Sequence, residues 1–328
     1  MSMTASAHRV TLGSWPTALE PAPRLAAALG LGSDDLWIKR DDLGGLGGGG
    51  NKLRKLEFSV GAALADGADT LVTIGGAQSN HARLTAAVGV RLGLQVVLVF
   101  PGHYDGIRGG NVALEGLFGA RVHWAGDLDF VELAEVAAGI TEQLRAEGAR
   151  PALLGLGGSS PIAAQGYLEA GRELLGQLPE LHTTVVALGS GATMAGLVAA
   201  LGPERVLGVD VGALTDPVRT VAELAGAVGP RPIARAELRV DLDQVGARYA
   251  FVTDRSAAAM RLAGRTEALV LDPIYTGRAM AALIAAVENG TITPGNPTVF
   301  LHTGGMPGLF GYPDAIRRAE QGLGSYPG

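Results

Sequence analysis

The chain has 328 residues, of which 47% are hydrophobic, 18% charged and 5% aromatic, and its formal net charge is −6. That length suits about two domains with a large core, while the net acidity and scarce aromatics argue against a nucleic-acid partner. The absence of cysteine excludes disulfides, thiol nucleophiles and thiolate metal sites.

The N-terminal stretch MSMTASAHRVTLGSWP has no apolar core of signal-peptide type, and no apolar run approaches membrane-spanning length. A cytoplasmic protein with no membrane partner is therefore expected. LWIKRDD (36–42) reads as a strand that fits either of two sheets, and a helix is predicted over 53–67. LVTIG (71–75), QVVLVF (95–100), RVHWAG (121–126) and ALLGLG (152–157) read as strands of one sheet, with a helix over 79–93 between the first two. A long helix over 162–178 precedes a second series: VVALG (185–189), RVLGVDV (205–211), ALVLD (268–272) and TVFLHTG (298–304). This alternation predicts an α/β protein with two open, twisted, mostly parallel sheets, each flanked by helices, and a cleft between them. The expected division is a small domain at 51–161 and a large discontinuous one at 1–50 and 162–328.

Five places could carry chemistry. The first is GLGGGGNKLRKLE (45–57). Gly45, Gly47 and Gly50 satisfy a dinucleotide-loop pattern, but in a chain with 50 glycines that match carries little weight. A P-loop is excluded, because Asn51 separates Gly50 from Lys52 and Leu53 follows, so no hydroxyl is placed for magnesium. Lys52 alone reads as a solvated lysine in a first helical turn. The glycines before it, the charges of Arg54 and Lys55, and a helix dipole that favours the neutral amine point instead to Schiff-base chemistry beside a phosphate. The second is GGAQSNHAR (75–83), where Ser79 or Asn80 caps a helix at a strand's carboxyl end and free N–H groups would attract a carboxylate. The third, LGSGATMAGL (188–197), offers the donors of a phosphate cup. The fourth and fifth, LDPIYTGRAM (271–280) and FLHTGGMPGLFGY (300–312), put Tyr275, Thr276, His302 and Thr303 at strand ends. Any one of these is ordinary; five polar strand ends facing one cleft are a candidate site. His8, His103, His123 and His182 show no ligand spacing, so no catalytic metal is expected.

In order and spacing, GGNKLRKLE, GGAQSNHAR, LGSGATMAGL, DPIYTGRAM and HTGGMPGLFGY resemble the pyridoxal-phosphate enzymes of fold type II, the tryptophan synthase β-like fold. The resemblance is nearest to the group holding 1-aminocyclopropane-1-carboxylate (ACC) deaminase, D-cysteine desulfhydrase and L-cysteate sulfo-lyase. It runs from about Leu36 to Tyr312 and includes GNVALEGLFGA (110–120) and GGSSPIAAQGYLEAGREL (157–174). It implies pyridoxal 5'-phosphate as cofactor, a small amino-acid substrate and a homodimer. Lys52 would carry the cofactor covalently and later take the substrate's α-proton, with Gly49 and Gly50 giving the cofactor room. Lys55 and the turn Gly189, Ser190, Gly191, Ala192 and Thr193 would hold the phosphate. Asn80 would bond the ring's 3-oxygen, and Ser79 with His81 would grip the substrate carboxylate. Gln78 and Tyr249 would border the substrate, and Tyr275 would stack on the ring or act as an acid/base group.

ACC deaminases of the family carry Tyr-Glu and His-Leu where this chain has Tyr275-Thr276 and His302-Thr303, and Gln at the position of His81. A glutamate keeps the pyridine nitrogen protonated; a threonine leaves it neutral and the electron sink weaker, which suffices for β-elimination. Thr303 is the first choice as the nitrogen's partner and Thr276 the second. The resemblance therefore implies a carbon–sulfur lyase acting on D-cysteine, with cysteate, ACC or another β-substituted alanine as alternatives. Leu53, Ala77, Ala192 and the segment ARYAFVT (247–253) depart from the family pattern, Tyr249 within that segment being kept. A nicotinamide dehydrogenase and a catalytically silent cofactor-binding protein are the readings from other classes.

Overall fold

The computed structural model describes residues 8–104, 106 and 109–323, so the first seven residues of the N-terminal stretch and the last five of the chain lie outside the described residues. Apolar β-branched runs become strands where they can be covered on both faces. Four of them, β3 (Thr70–Ile74), β4 (Gln95–Phe100), β5 (Arg121–Trp124) and β6 (Pro151–Leu154), form an all-parallel sheet in the order β5-β4-β3-β6. The other sheet contains β1 (Leu19–Pro21), β2 (Leu36–Lys39), β7 (Thr183–Leu188), β8 (Val206–Asp210), β9 (Arg239–Asp241) and β10 (Thr298–Leu301), ordered β1-β2-β10-β7-β8-β9. Only β1 is antiparallel in it. The expected fold class holds: two mostly parallel sheets flanked by helices.

The structure decides one open reading and overturns another. LWIKRDD is assigned by the structure: Leu36 pairs with Thr298 and Lys39 with Leu301, so β2 belongs to the larger sheet. ALVLD is not a strand. Ala268 turns into the left-handed region at φ 55° to cap the helix Asp254–Glu267, and Leu269 N–H bonds back to Ala263. Leu269 and Leu271 are buried in the core all the same, so the apolar pattern reports burial here and not pairing.

Each sheet is sandwiched. Leu36, Ile38, Val185 and Phe300 pack on one side with Met280, Leu283 and Ala286 of the helix Thr276–Glu288. On the other side, Val186, Leu188 and Leu301 meet the helices Pro161–Gln177 and Ala192–Leu201. The helix Lys52–Ala65 lies against Pro161–Gln177 because Gly166 has no side chain, for a Cβ there would sit 2.1 Å from the Arg54 carbonyl oxygen. That approach aligns the start of the Lys52 helix with the ends of β3 and β7, where parallel sheets present their binding turns.

Candidate active site

The cleft between the two sheets is lined by Lys52, Ser79, Asn80 and His81 from one side and by Gly189, Ser190, Gly191 and Thr193 from the other. Tyr249, Tyr275 and Thr303 complete it, together with Asn51, Phe130, Leu156 and Gly157, which the sequence reading did not single out.

Lys52 opens its helix, following Asn51 at the N-cap position. Desolvation pulls its amine down to about 8, against an ordinary value of 10.5. Its Nζ donates to the Gly157 carbonyl at 3.3 Å, and Lys55 Nζ donates to the same oxygen at 2.6 Å and to Ser159 Oγ at 3.2 Å. Burial, and then the charge of Lys52, push the Lys55 amine well down too. Among the described residues no carboxylate pairs with either lysine, so two amines converge on one carbonyl with no fixed anion beside them. Lys55 itself stands behind Gly157 and does not line the cleft.

The glycine run before Lys52 serves a purpose other than the one expected. Gly49 and Gly50 have φ of 67° and 117°, and a Cβ at Gly49 would lie 2.0 Å from the Asp42 carbonyl oxygen. At Gly50 it would press on the Thr303 carbonyl at 3.0 Å. Both glycines thus let the loop close on its own chain, and neither lines the cleft. Asn51 N–H then donates to the Thr303 carbonyl at 3.0 Å, tying the two strand-end loops together.

At the end of β3, Ser79 caps the helix Asn80–Leu92, its Oγ accepting from Ala82 N–H at 3.2 Å. The Asn80 side-chain oxygen is taken by Arg83 at 3.3 Å and Asn111 at 3.1 Å. Its amide N–H₂ is therefore the end left for a ligand. Arg83 is buried and also grips the Gly47 and Gly49 carbonyls and Asn111 Oδ1, bracing the glycine loop against this helix. His81 bonds Thr73 Oγ1 through Nε2 at 3.0 Å, while its buried Nδ1 has no partner. Burial, with Lys52 and Lys55 nearby, holds the ring neutral. Gln78 turns away from the cleft: its Oε1 accepts from Asn111 N–H at 2.8 Å and its Nε2 donates to the Gly109 carbonyl.

At the end of β7, Gly191 (φ 97°) starts the helix Ala192–Leu201. Ala192, which departs from the family pattern, is the first helical residue and does not adopt a positive φ. Thr193 Oγ1 accepts from Asn51 Nδ2 at 3.0 Å, and Ser159 Oγ accepts from Ala192 N–H at 3.3 Å while donating to Ser190 Oγ at 2.7 Å. Ser159 thereby joins Lys55 to the turn. In sequence it is hidden in Ser159-Ser160-Pro161, where the evident role is helix capping, which Ser160 performs.

Asp272 shapes the remaining wall. Its carboxylate accepts from the N–H groups of Ile274, Tyr275 and Thr276 and from Thr276 Oγ1 at 2.8 Å. Thr276 is therefore consumed by Asp272 and does not reach the cleft, whereas Thr303 lines it. Of the two threonines weighed for the ring nitrogen, the structure brings only Thr303 to the site. Tyr275 Oη lies 2.5 Å from Tyr249 Oη, and burial raises both phenols. His302 is buried and held neutral, accepting from Gly304 N–H at 3.2 Å through Nδ1, as a structural histidine does.

The family profile described as "Pyridoxal-phosphate dependent enzyme" matches residues 10–304. The chain belongs to this family. It is 38% identical over 316 residues to a Pyrococcus abyssi protein named "Putative 1-aminocyclopropane-1-carboxylate deaminase", spanning 93% of each chain. It is also 38% identical over 321 residues to the D-cysteine desulfhydrase of Klebsiella pneumoniae (strain 342), covering 93% of this chain and 96% of that one. A crystal structure titled as an ACC deaminase homologue superposes with a TM-score of 0.85 at 35% identity, over 96% of this chain and 97% of the other. The enzyme is thus pyridoxal-phosphate-dependent, and the cleft fits that cofactor. The buried amine of Lys52 stands without a counter-anion, helix N-termini at 79–80 and 190–193 present donors, and the Asn80 amide lines the cleft with its oxygen already bonded.

Proposed function

We propose that this pyridoxal-phosphate enzyme is a lyase that removes the β-substituent of a small amino acid, with D-cysteine as substrate and pyruvate, sulfide and ammonia as products. The observation that carries the reading is Lys52: an amine drawn down to about 8, with no carboxylate partner, at the meeting point of both sheets. When bound, the cofactor supplies the electron sink that acidifies the substrate's Cα–H bond and lets a group leave Cβ. Lys52 Nζ would anchor it and then take the α-proton, a task suited to an amine drawn down to about 8, which is half neutral at that pH. Gly189, Ser190, Gly191, Ala192 and Thr193 bind the phosphate, with Lys55 acting on it through Ser159. Asn80 turns its N–H₂ to the ring's 3-oxygen. Ser79 and the adjoining N–H groups receive the substrate carboxylate, and Tyr275, held by Asp272, flanks the ring.

Thr303 is the partner we assign to the ring nitrogen, and among the described residues no aspartate or glutamate lines the cleft. A hydroxyl there leaves the nitrogen neutral, which supports elimination over the opening of a cyclopropane that has no α-hydrogen. The likeness to an ACC deaminase homologue makes ACC the second reading. Parallel assays decide between them: pyruvate with sulfide from D-cysteine supports the first, and 2-oxobutyrate from ACC at the higher kcat/KM refutes it. A cytoplasmic homodimer is part of the proposal. Exposed Leu117, Met306 and Phe310, on neighbouring helical segments, support a self-association surface, and light scattering on the purified protein tests it.

A further inference from the structure

We infer that Phe130 is the specificity-determining residue for the substrate's β-substituent, and that it restricts the enzyme to small uncharged ones. This rests on the lyase reading above. The polar groups of the cleft gather at two helix N-termini, and among the described residues Lys52 is the single Lys or Arg in its lining. His81, the other basic group there, is held neutral. Away from those donors the wall is Phe130, Leu156 and Ala213 with the rings of Tyr249 and Tyr275.

Phe130 is held there by its own element. Asp129 accepts from the N–H groups of Val131 and Glu132, and Glu132 accepts in return from Asp129 N–H, a reciprocal cap that fixes Phe130 as the first residue of the helix Phe130–Ala146. Its ring packs on the cluster containing Val72, Ile74, Val97 and Val99 of the smaller sheet. It then crosses the cleft to meet Tyr249 edge-on, with centroids 6.4 Å apart and planes at 73°. Tyr249 repeats that geometry on Tyr275 at 6.4 Å and 71°. A row of three rings therefore closes the cleft from one sheet to the other. A sulfonate or carboxylate on Cβ would lie against this half-buried row of rings with no Lys or Arg beside it, an unfavourable placement for a charge.

The test is a substrate panel on the cofactor-loaded enzyme: both enantiomers of cysteine, S-methylcysteine and cysteate, with wild type, Phe130→Leu and Phe130→Ala. Wild type is expected to favour cysteine over cysteate by about 100-fold or more in kcat/KM. Phe130→Ala should raise KM for cysteine about 10-fold with little change in kcat, and improve S-methylcysteine relative to cysteine by about 10-fold. Phe130→Leu should fall between the two, with the cofactor's absorbance band unchanged in all three proteins. Equal use of cysteate and cysteine by wild type, or an unaltered ranking and KM in Phe130→Ala, overturns the inference alone. A cofactor-loaded wild type inert toward the whole panel overturns the lyase reading, and the inference with it.

Discussion

Thr276→Val and Thr303→Val make a matched pair of substitutions with opposite expected consequences. In Thr276→Val the buried Asp272 N–H loses its acceptor at 2.8 Å and the Asp272 carboxylate loses a hydroxyl donor at 2.8 Å. A stranded buried donor costs about 1–3 kcal/mol and a bond to a charged group contributes about 1.5–3 kcal/mol, so a loss of roughly 3 kcal/mol is expected. With an unfolding entropy of about 0.7 kcal/mol/K for 328 residues, that lowers Tm by about 4 °C. Among the described residues Thr303 makes no such bonds through its hydroxyl, so Thr303→Val should change Tm by about 1 °C or less. The cofactor's absorbance as a function of pH should behave the other way, shifting in Thr303→Val and staying put in Thr276→Val. Calorimetry and a spectral pH titration of both loaded variants read the two effects separately. A Thr276→Val protein of unchanged Tm with an altered titration would refute the assignment of Thr276 to Asp272 and Thr303 to the ring.

Two further outcomes follow from the geometry. Gly49→Ala forces a Cβ to within 2.0 Å of the Asp42 carbonyl at φ 67°, while Gly45, at φ 94°, has nothing near it. Gly49→Ala should cost about 3 kcal/mol and weaken cofactor retention, and Gly45→Ala about 1 kcal/mol; equal midpoints in denaturant would contradict this. Glu115 is buried beside Arg83 with neither carboxylate oxygen bonded, and desolvation raises it to about 8. A raised acid destabilises the folded state as pH climbs from its unfolded value near 4.5 toward 8, because ionisation is easier in the unfolded chain. Glu115→Gln should therefore match wild type near pH 4.5 and exceed it by roughly 5 kcal/mol at pH 9, seen as a Tm difference that widens with pH. A constant difference would show that Glu115 is ionised throughout.

Much of the architecture could be read from local pattern. QVVLVF is β4 without a residue's error, and Ser79 caps the helix that its place after a strand implied. Parallel strands buried on both faces leave long apolar runs, and those runs locate sheet and turns alike. The failures share a cause, which is that the deciding contact is remote in sequence. ALVLD has a strand's composition, but its backbone is claimed by a helix cap at Ala268 and by Thr276, whose Oγ1 accepts from the Asp272 N–H. β1 and β9 are three-residue edge strands, too short for any periodicity.

The site divides in the same way. Lys52, Ser79, Asn80 and the 189–193 turn stand at strand-to-helix junctions, a place chain order predicts. Phe130 reaches the cleft only because its helix and the two sheets converge there, and nothing adjacent to it in sequence marks it. Ser159 stands behind the turn, joined to it through Ser190 and Ala192. Thr303 and Thr276 rank first and second from sequence because each follows an aromatic ring residue at the end of an apolar run. The carboxylate four residues before Thr276 separates them, and an Asx-type cap by Asp272 is the signal that could have been used. Gly49 and Gly50 were read as space for a ligand when they are space for Asp42 and Thr303, since sequence gives the freedom of a glycine and not the direction from which it is approached.

The most direct measurement is the release of pyruvate and sulfide from D-cysteine by the cofactor-loaded wild type, set beside Lys52→Ala loaded to the same extent. Equimolar pyruvate and sulfide from the wild type, with turnover reduced by at least about 1,000-fold in Lys52→Ala, is the predicted result. Full turnover in Lys52→Ala would contradict the assignment of Lys52 as anchor and base.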